Sequence, residues 1–213
     1  MEEVIQQCAT DLQLSDITLI RQSMNAVYQA TSANGPLIMR VSRPTTSTQP
    51  AIEFADYLRR QGFEVPAPIS QVPFRHDEIE ITLWEFIEPH SEHIVNWSTI
   101  GSFVRRLHDI DPEDVAKFYP LPKAASFPWW NFDVLISELG PTLNSNDCDI
   151  LLERWERLRP FFRTAQDITV ESVGDRPVLC HGDIHPGNVI VNRDTGRPIL
   201  LDWDLLSVAP REW

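Results

Sequence analysis

The sequence lacks the features of several protein classes. It has only three cysteines, Cys8, Cys148 and Cys180, and their wide separation excludes a disulfide framework and a C-x-x-C zinc site. So few scattered thiols favour a reducing, cytoplasmic location. No uninterrupted apolar run approaches the roughly 20 residues that span a bilayer, so we expect no membrane segment. The N-terminal Met1–Glu3 is acidic, whereas a signal peptide begins with basic residues.

Basic residues are scarce as well. The 213 residues include 18 Lys and Arg against 31 Asp and Glu, which gives a net charge of −13. Such a surface repels phosphate backbones and anionic membranes, so we expect neither general nucleic-acid binding nor membrane binding. A cationic small molecule would be favoured, although solubility explains the charge equally well. The hydrophobic fraction of 42% is enough for a sizeable core in one large domain or two small lobes.

The first 87 residues predict a small antiparallel sheet with an inserted helix. Ser32–Pro36 and Phe74–Glu78 have the composition of turns. The predicted strands are Ile17–Arg21, Ala26–Thr31, Leu37–Ser42, Ile69–Gln71 and Glu80–Ile87. The predicted helices are Glu2–Leu12 and Ala51–Gln61.

The pattern changes after Glu88-Pro89 and becomes mainly helical. Trp97–His108 and Asp147–Arg163 have helical spacing, and the proline-rich stretch between residues 120 and 128 predicts irregular structure. Two short strands, Val189–Asn192 and Pro198–Asp202, then flank a hairpin turn. We therefore predict an α+β fold with an N-terminal lobe over residues 1–87 and a C-terminal lobe over residues 88–213.

The most informative run is Cys180–Asn188, CHGDIHPGN, which contains an H-x-D-x-x-x-x-N spacing. The predicted hairpin follows it and ends on Asp202. Phosphoryl transfer needs a carboxylate that accepts the proton of an attacking hydroxyl, together with an amide oxygen and a second carboxylate that hold Mg²⁺. Asp183, Asn188 and Asp202 are the candidates for these three positions.

A metallohydrolase is the alternative interpretation of the same segment. His181, Asp183, His185, Asp202 and Asp204 include nitrogen and oxygen ligands of the kind that Zn²⁺ prefers. This interpretation leaves Asn188 without a role. One or two zinc ions bound per chain would favour it.

At these residues the sequence resembles the aminoglycoside phosphotransferase and choline kinase family, which has the bilobal protein-kinase-like fold. The resemblance extends in element order from about Ile17 to Trp213. It implies that Asp183 is the catalytic base and that Asn188 and Asp202 bind Mg²⁺. The implied reaction transfers the γ-phosphate of ATP or GTP to a hydroxyl of a small molecule.

The resemblance also implies that the N-terminal lobe binds the nucleotide. Arg40 occupies the position where the family usually has the phosphate-binding lysine, and Glu53 in the next helix would pair with it. Ser23 and Asn25 fall in the phosphate loop, which lacks the G-x-G-x-x-G pattern. The backbone from Glu85 to Ile87 would hydrogen-bond the purine as the hinge.

The family has further helices after the position of Trp213, so the resemblance implies an incomplete C-terminal lobe. The apolar surface that such a truncation leaves would favour self-association. A catalytically impaired, pseudokinase-like module that only binds nucleotide is a second possibility. The acceptor is not identified by the sequence, because the family acts on aminoglycosides, choline, homoserine, fructosamines and macrolides.

Overall fold

The structure is a computed structural model and describes residues 2–23, 25–44, 47–90, 94–123, 132–166, 177–209 and 211. Its helices are α1 Glu2–Asp11, α2 Gln49–Arg60, α3 Trp97–His108, α4 Pro112–Ala116, α5 Phe132–Leu139 and α6 Ser145–Gln166. Its strands are β1 Ser15–Gln22, β2 Ala26–Ser32, β3 Gly35–Ser42, β4 Phe74–His76, β5 Ile79–Glu85, β6 Val178–Cys180, β7 Val189–Val191, β8 Pro198–Leu200 and β9 Ser207–Ala209. In the described ranges no helix is both long and apolar enough to cross a membrane.

The N-terminal strands form one antiparallel sheet of five strands in the order β1-β2-β3-β5-β4. This sheet and the helices confirm the predicted α+β fold class. The predicted strand Ile69–Gln71 is wrong, because that segment forms no strand and follows an isolated bridge between Pro68 and Trp84. The strand lies instead at β4, inside the predicted turn. Asp77 adopts a positive φ of 52° and lets the chain reverse within two residues, so β4 pairs directly with β5.

Alternation along β3 separates the two faces of this sheet. Leu37, Met39 and Val41 are each at most 2% exposed and belong to the core beneath α1. Successive side chains of a strand point to opposite faces, so Arg40 lies on the face away from that core. The helix α1 covers the core with its buried apolar residues, Val4, Ile5, Cys8 and Ala9. The sequence pattern therefore places a cation on the free face of a well-anchored strand.

By their contacts, the residues group into two compact units. One comprises Met1–Phe103, Val115–Pro120 and Asp183–Asp204, and the other comprises Val104–Asp114, Leu121–Gly182 and Leu205–Trp213. The segment Asp183–Asp204 thus groups with the N-terminal sheet. The lobe boundary predicted at residue 87 stays a prediction.

The second unit contains the two-stranded pairing of β6 with β9, which the sequence did not predict. Val178, Cys180 and Ala209 form a small core between these strands. Burial raises the pKa of Cys180 to about 11, and the pKa of Cys8 in the first unit also rises to about 11. Both thiols therefore stay protonated at neutral pH and act as small apolar side chains.

Both the backbone conformation and the neighbouring atoms require a glycine at position 182, in the second unit. Its φ is +85°, and a Cβ atom there would lie 2.4 Å from the carbonyl oxygen of Leu205. We expect Gly182→Ala to lower the free energy of unfolding by about 2–4 kcal/mol, because the left-handed backbone and the steric overlap both add cost. Gly196→Ala is the matched control, since Gly196 has a φ of +68° and a Cβ atom there would have no other atom within 4 Å. It should cost only about 1 kcal/mol. Equal costs in urea unfolding would contradict the close approach of Leu205.

Candidate active site

The segment Asp183–Asn188 forms a tight loop that brings its two candidate residues into contact. Asn188 is 2% exposed, and its Nδ2 donates to Asp183 Oδ2 over 2.8 Å and to the Asp183 carbonyl oxygen over 3.1 Å. The loop ends in a 3₁₀ turn, in which the Gly187 backbone N–H donates to His185 Nδ1 over 3.1 Å. The carboxylate of Asp183 is thus held by a buried amide whose own oxygen is left for another partner.

The hairpin of β7 and β8 delivers Asp202 beside this loop. Val189 pairs with Leu200, and the Leu201 backbone N–H donates to the Asn188 carbonyl oxygen over 2.9 Å. Asp202 follows with a φ of 63°, a left-handed conformation that aspartate tolerates better than most residues. The loop and the hairpin therefore bring Asp183, Asn188 and Asp202 into one neighbourhood, as the sequence predicts.

Trp203 anchors the segment that follows the hairpin. Its ring centroid lies 5.4 Å from that of Phe54 on α2 and 6.0 Å from that of Phe103 on α3. Phe54 also contacts Tyr119, at 5.6 Å between centroids. Buried aromatic contacts of this kind fix the backbone on which Asp202 and Asp204 stand.

The local charge is predominantly negative. Burial raises the pKa of Asp202, and the neighbouring Asp204 and Asp183 raise it further, while Arg40 opposes them. Burial also raises the pKa of Tyr119 to about 12, with a further contribution from Asp204. Burial is the main cause of both shifts, and repulsion from nearby carboxylates adds to each of them.

Arg40 forms its ion pairs with the hairpin segment. Its Nη2 contacts Asp204 Oδ2 in a short ion pair and lies 3.6 Å from Asp202 Oδ1. The predicted pairing of Arg40 with Glu53 is therefore wrong. Glu53 accepts a hydrogen bond from Gln49 Nε2, one turn earlier on α2, over 3.1 Å. Glu53 bonds to a residue four positions earlier on the same helix. Arg40 instead lies beside two carboxylates, which stabilise its positive charge more than a single one would.

The turn between β1 and β2 carries Ser23 and Asn25. The Ser23 backbone N–H donates to the Asn25 carbonyl oxygen over 2.9 Å, and Asn25 Nδ2 donates to Asp204 Oδ2 over 3.1 Å. The structure thus connects this predicted phosphate loop to the hairpin segment through Asn25.

Comparison with known proteins identifies the family. A model of the phosphotransferase enzyme family matches residues 16–213. The chain belongs to this family. The predicted class of enzyme, a small-molecule kinase, is thereby confirmed. No curated protein sequence matches the chain.

Solved structures share the fold of this phosphotransferase. A spectinomycin phosphotransferase in complex with ADP and spectinomycin has a TM-score of 0.69 at 18% identity, covering 99% of this chain and 70% of that one. An aminoglycoside phosphotransferase from Streptomyces rimosus, in complex with ADP and streptomycin, has a TM-score of 0.67 at 16% identity, covering 99% and 78%. An ethanolamine kinase from Plasmodium vivax has a TM-score of 0.63 at 17% identity, covering 99% and 61%.

The predicted hinge of the phosphotransferase is only partly available to a nucleotide. The Glu85 backbone N–H donates to the Ala67 carbonyl oxygen over 2.8 Å, and Glu85 Oε2 accepts from the Ala67 N–H over 3.1 Å. A purine contact by Glu85 is thereby restricted to its carbonyl oxygen. Ile87 follows the end of β5, and its backbone has no hydrogen-bond partner among the described residues. The role of both residues stays a prediction.

The donor set fits Mg²⁺ better than Zn²⁺. Mg²⁺ takes few protein oxygens and keeps several waters, so the amide oxygen of Asn188 and the carboxylate of Asp202 suffice. Asp204 and Asp183 repel the carboxylate of Asp202, and a divalent cation bound there would relieve part of this repulsion. Zn²⁺ needs three or more His, Cys, Asp or Glu ligands, and the described part of the chain contains no such group. The metallohydrolase interpretation therefore has no structural support.

The sequence interpretation assigned no part of the kinase site to Asp204. In the structure, Asp204 is the partner of both Arg40 and Asn25. The Asp-x-Asp spacing is a usable signal, because two carboxylates two residues apart can both lie within reach of one guanidinium. Its partners, however, are 164 and 179 residues away in the sequence.

Proposed function

We propose that this phosphotransferase moves the γ-phosphate of ATP to a hydroxyl of a small molecule in a Mg²⁺-dependent reaction in the cytoplasm. The observation that carries the proposal is the contact of buried Asn188 with Asp183, next to the hairpin that presents Asp202. Adenine nucleotides are favoured over GTP because the spectinomycin phosphotransferase and the Streptomyces rimosus enzyme are described with ADP.

Each residue has a defined task in this reaction. Asp183 accepts the proton of the acceptor hydroxyl, whose oxygen forms the new bond to the γ-phosphorus as the bond to the β-phosphate oxygen breaks and ADP leaves. Asn188 holds Asp183 through its amide nitrogen and, with Asp202, would hold Mg²⁺, which neutralises charge on the phosphates. Arg40 contributes a fixed positive charge for the phosphate oxygens. Catalysis then consists mostly of positioning and electrostatic stabilisation.

The acceptor class that we propose is a hydroxyl compound carrying an amine. The net charge of −13 attracts a cation, and spectinomycin, ethanolamine and streptomycin, which are all amines, are the compounds printed in the names or complexes of the similar enzymes.

Thermal melts with ATP and with GTP, each with Mg²⁺ or with EDTA, test the nucleotide site. At 100 times its dissociation constant a ligand adds about 2.7 kcal/mol, which raises the melting temperature of a chain of this size by about 5–10 °C. We expect that shift with ATP and Mg²⁺, and a smaller one with EDTA.

Transfer is then measured as ADP release with a panel of amino alcohols and aminocyclitols. Release that depends on the acceptor supports the proposal. A cooperative melt without any nucleotide shift would overturn it. A nucleotide shift without transfer to any acceptor would instead favour the pseudokinase-like module.

A further inference from the structure

The cation on β3 is held by a residue from the opposite end of the sequence. Arg40 Nη2 forms its short ion pair with Asp204 Oδ2, while Asp202 Oδ1 is more distant at 3.6 Å. The side chain of Arg40 is 23% exposed and that of Asp204 is 36% exposed, so both are partly screened from water. An ion pair with this degree of burial restricts the arginine more than a fully exposed pair would.

Helix α2 supports this arrangement through packing, not through charge. Its Glu53 is occupied by Gln49, whereas the adjacent Phe54 packs against Trp203. Trp203 lies between Asp202 and Asp204 in the sequence, so the ring contact holds the backbone that carries both carboxylates. Helix α2 therefore positions Asp204 for Arg40 through the packing of Phe54, and no residue of α2 forms the ion pair itself.

Arginine suits this arrangement better than lysine does. No lysine precedes Lys117 in the sequence, and the planar guanidinium has five donors where an ammonium group is a single point charge. Arg40 can contact Asp204 with one part of its fork and leave other N–H groups for phosphate oxygens. A lysine held by Asp204 would have fewer N–H groups left for phosphate oxygens, because an ammonium group has three donors and a guanidinium has five.

Asp204 also accepts a hydrogen bond from a second residue. Asn25 Nδ2 donates to the same Oδ2 atom over 3.1 Å, so one carboxylate oxygen joins the β1–β2 turn, strand β3 and the hairpin segment. We propose that Asp204 is the positioning residue for Arg40 and for the β1–β2 turn, in the role that the sequence assigned to Glu53. This inference rests on the proposed function, because it assumes that Arg40 and the turn contact the nucleotide phosphates.

A double-mutant cycle on nucleotide affinity tests the proposal. ATP dissociation constants are measured by calorimetry, with Mg²⁺ and with EDTA, for wild type, Asp204→Asn, Arg40→Ala and the double variant. We expect Asp204→Asn to weaken ATP binding about 5-fold in both conditions, and to have little further effect once Arg40 is alanine. The KM for ATP should rise more than kcat falls, because positioning of the phosphates is lost while Asp183 is unchanged. In the parallel cycle, Glu53→Gln should show no coupling to Arg40→Ala.

The possible results distinguish a failure of the proposed function from a failure of the positioning role of Asp204. If wild type does not bind ATP, the proposed function fails. If wild type binds and Asp204→Asn acts additively with Arg40→Ala, the positioning role fails while the function stands. If Asp204→Asn weakens binding only with Mg²⁺ and raises the Mg²⁺ concentration for half-maximal binding, Asp204 is a metal ligand and the proposal is overturned. Asp194→Asn, an exposed aspartate in the β7–β8 turn, controls for the change in net charge.

Discussion

Asp183→Asn should lower kcat by about 1,000-fold, within the range of 10²–10⁴ that removal of a positioned base typically costs. The carboxylate is the group that accepts the hydroxyl proton, and an amide at the same place cannot accept it. The fold of the loop should survive, because the new side chain can present its amide oxygen to Asn188 Nδ2, which donates to Asp183 Oδ2 in the wild type. The measurement is single-turnover transfer to the best acceptor from the panel.

The nucleotide site provides the internal control for this variant. Asp183→Asn should keep the thermal shift with ATP and Mg²⁺, since the carboxylate of Asp183 acts on the acceptor. Asp194→Asn should change neither transfer nor the shift. Retention of more than about a tenth of wild-type kcat in Asp183→Asn would show that the residue is not the base.

Asp202→Asn should remove the Mg²⁺-dependent part of nucleotide binding, weakening it by more than about 10-fold. An amide is a poorer ligand for Mg²⁺ than a carboxylate is, and only Asn188 would remain of the two predicted ligands. Asparagine tolerates the positive φ of 63° found at Asp202, so the backbone should be retained. The measurement is the difference between ATP affinities in Mg²⁺ and in EDTA, and an unchanged difference would contradict the metal assignment.

Although Asp202→Asn should weaken nucleotide binding, it should stabilise the ligand-free protein at neutral pH. Burial and the nearby Asp204 raise the pKa of Asp202 above its ordinary value of 3.8, so the folded state disfavours the ionised form. The stability that this shift contributes is present below the unfolded pKa and is lost as the pH rises through the folded pKa. At pH 7 Asp202→Asn should therefore melt higher than wild type without ligand, and this advantage should shrink as the pH falls toward 4.

Acidification should also weaken Mg²⁺-dependent ATP binding in the wild type. Because its pKa is raised, Asp202 takes up a proton at a higher pH than an ordinary aspartate does, and a protonated carboxyl is a poor metal ligand. The loss of affinity with falling pH should be absent in Asp202→Asn. A wild-type profile that parallels the variant would contradict this assignment.

Local patterns identified much of the fold. The helical spacing predicts α3 with the bounds that the structure has, Trp97–His108, and the turn around Arg193–Gly196 lies in a hairpin of two antiparallel strands. The prediction for Ile69–Gln71 is wrong, because the strand next to β5 is Phe74–His76, which the chain reversal at Asp77 and Glu78 pairs directly with Ile79–Ile81. The pairing of β6 with β9 was missed because strands of three residues, separated by 26 residues, leave almost no periodic signal.

Within the candidate site, the sequence by itself determined the loop from Asp183 to Asn188. Only four residues lie between Asp183 and Asn188, so the loop closes over a short distance, and the following hairpin brings Asp202 back to it. These contacts are local, and their chemistry is evident from residue type and spacing.

Only the tertiary structure decided the partner of Arg40. From sequence, Glu53 and Asp204 were both available carboxylates, and Glu53 was the nearer of the two along the chain. The packing of Phe54 against Trp203 places Asp204 at Arg40, while Gln49 occupies Glu53. An ion pair depends on distances of a few ångströms between side chains, and across 164 residues those distances are set by the packed core, which no local pattern encodes.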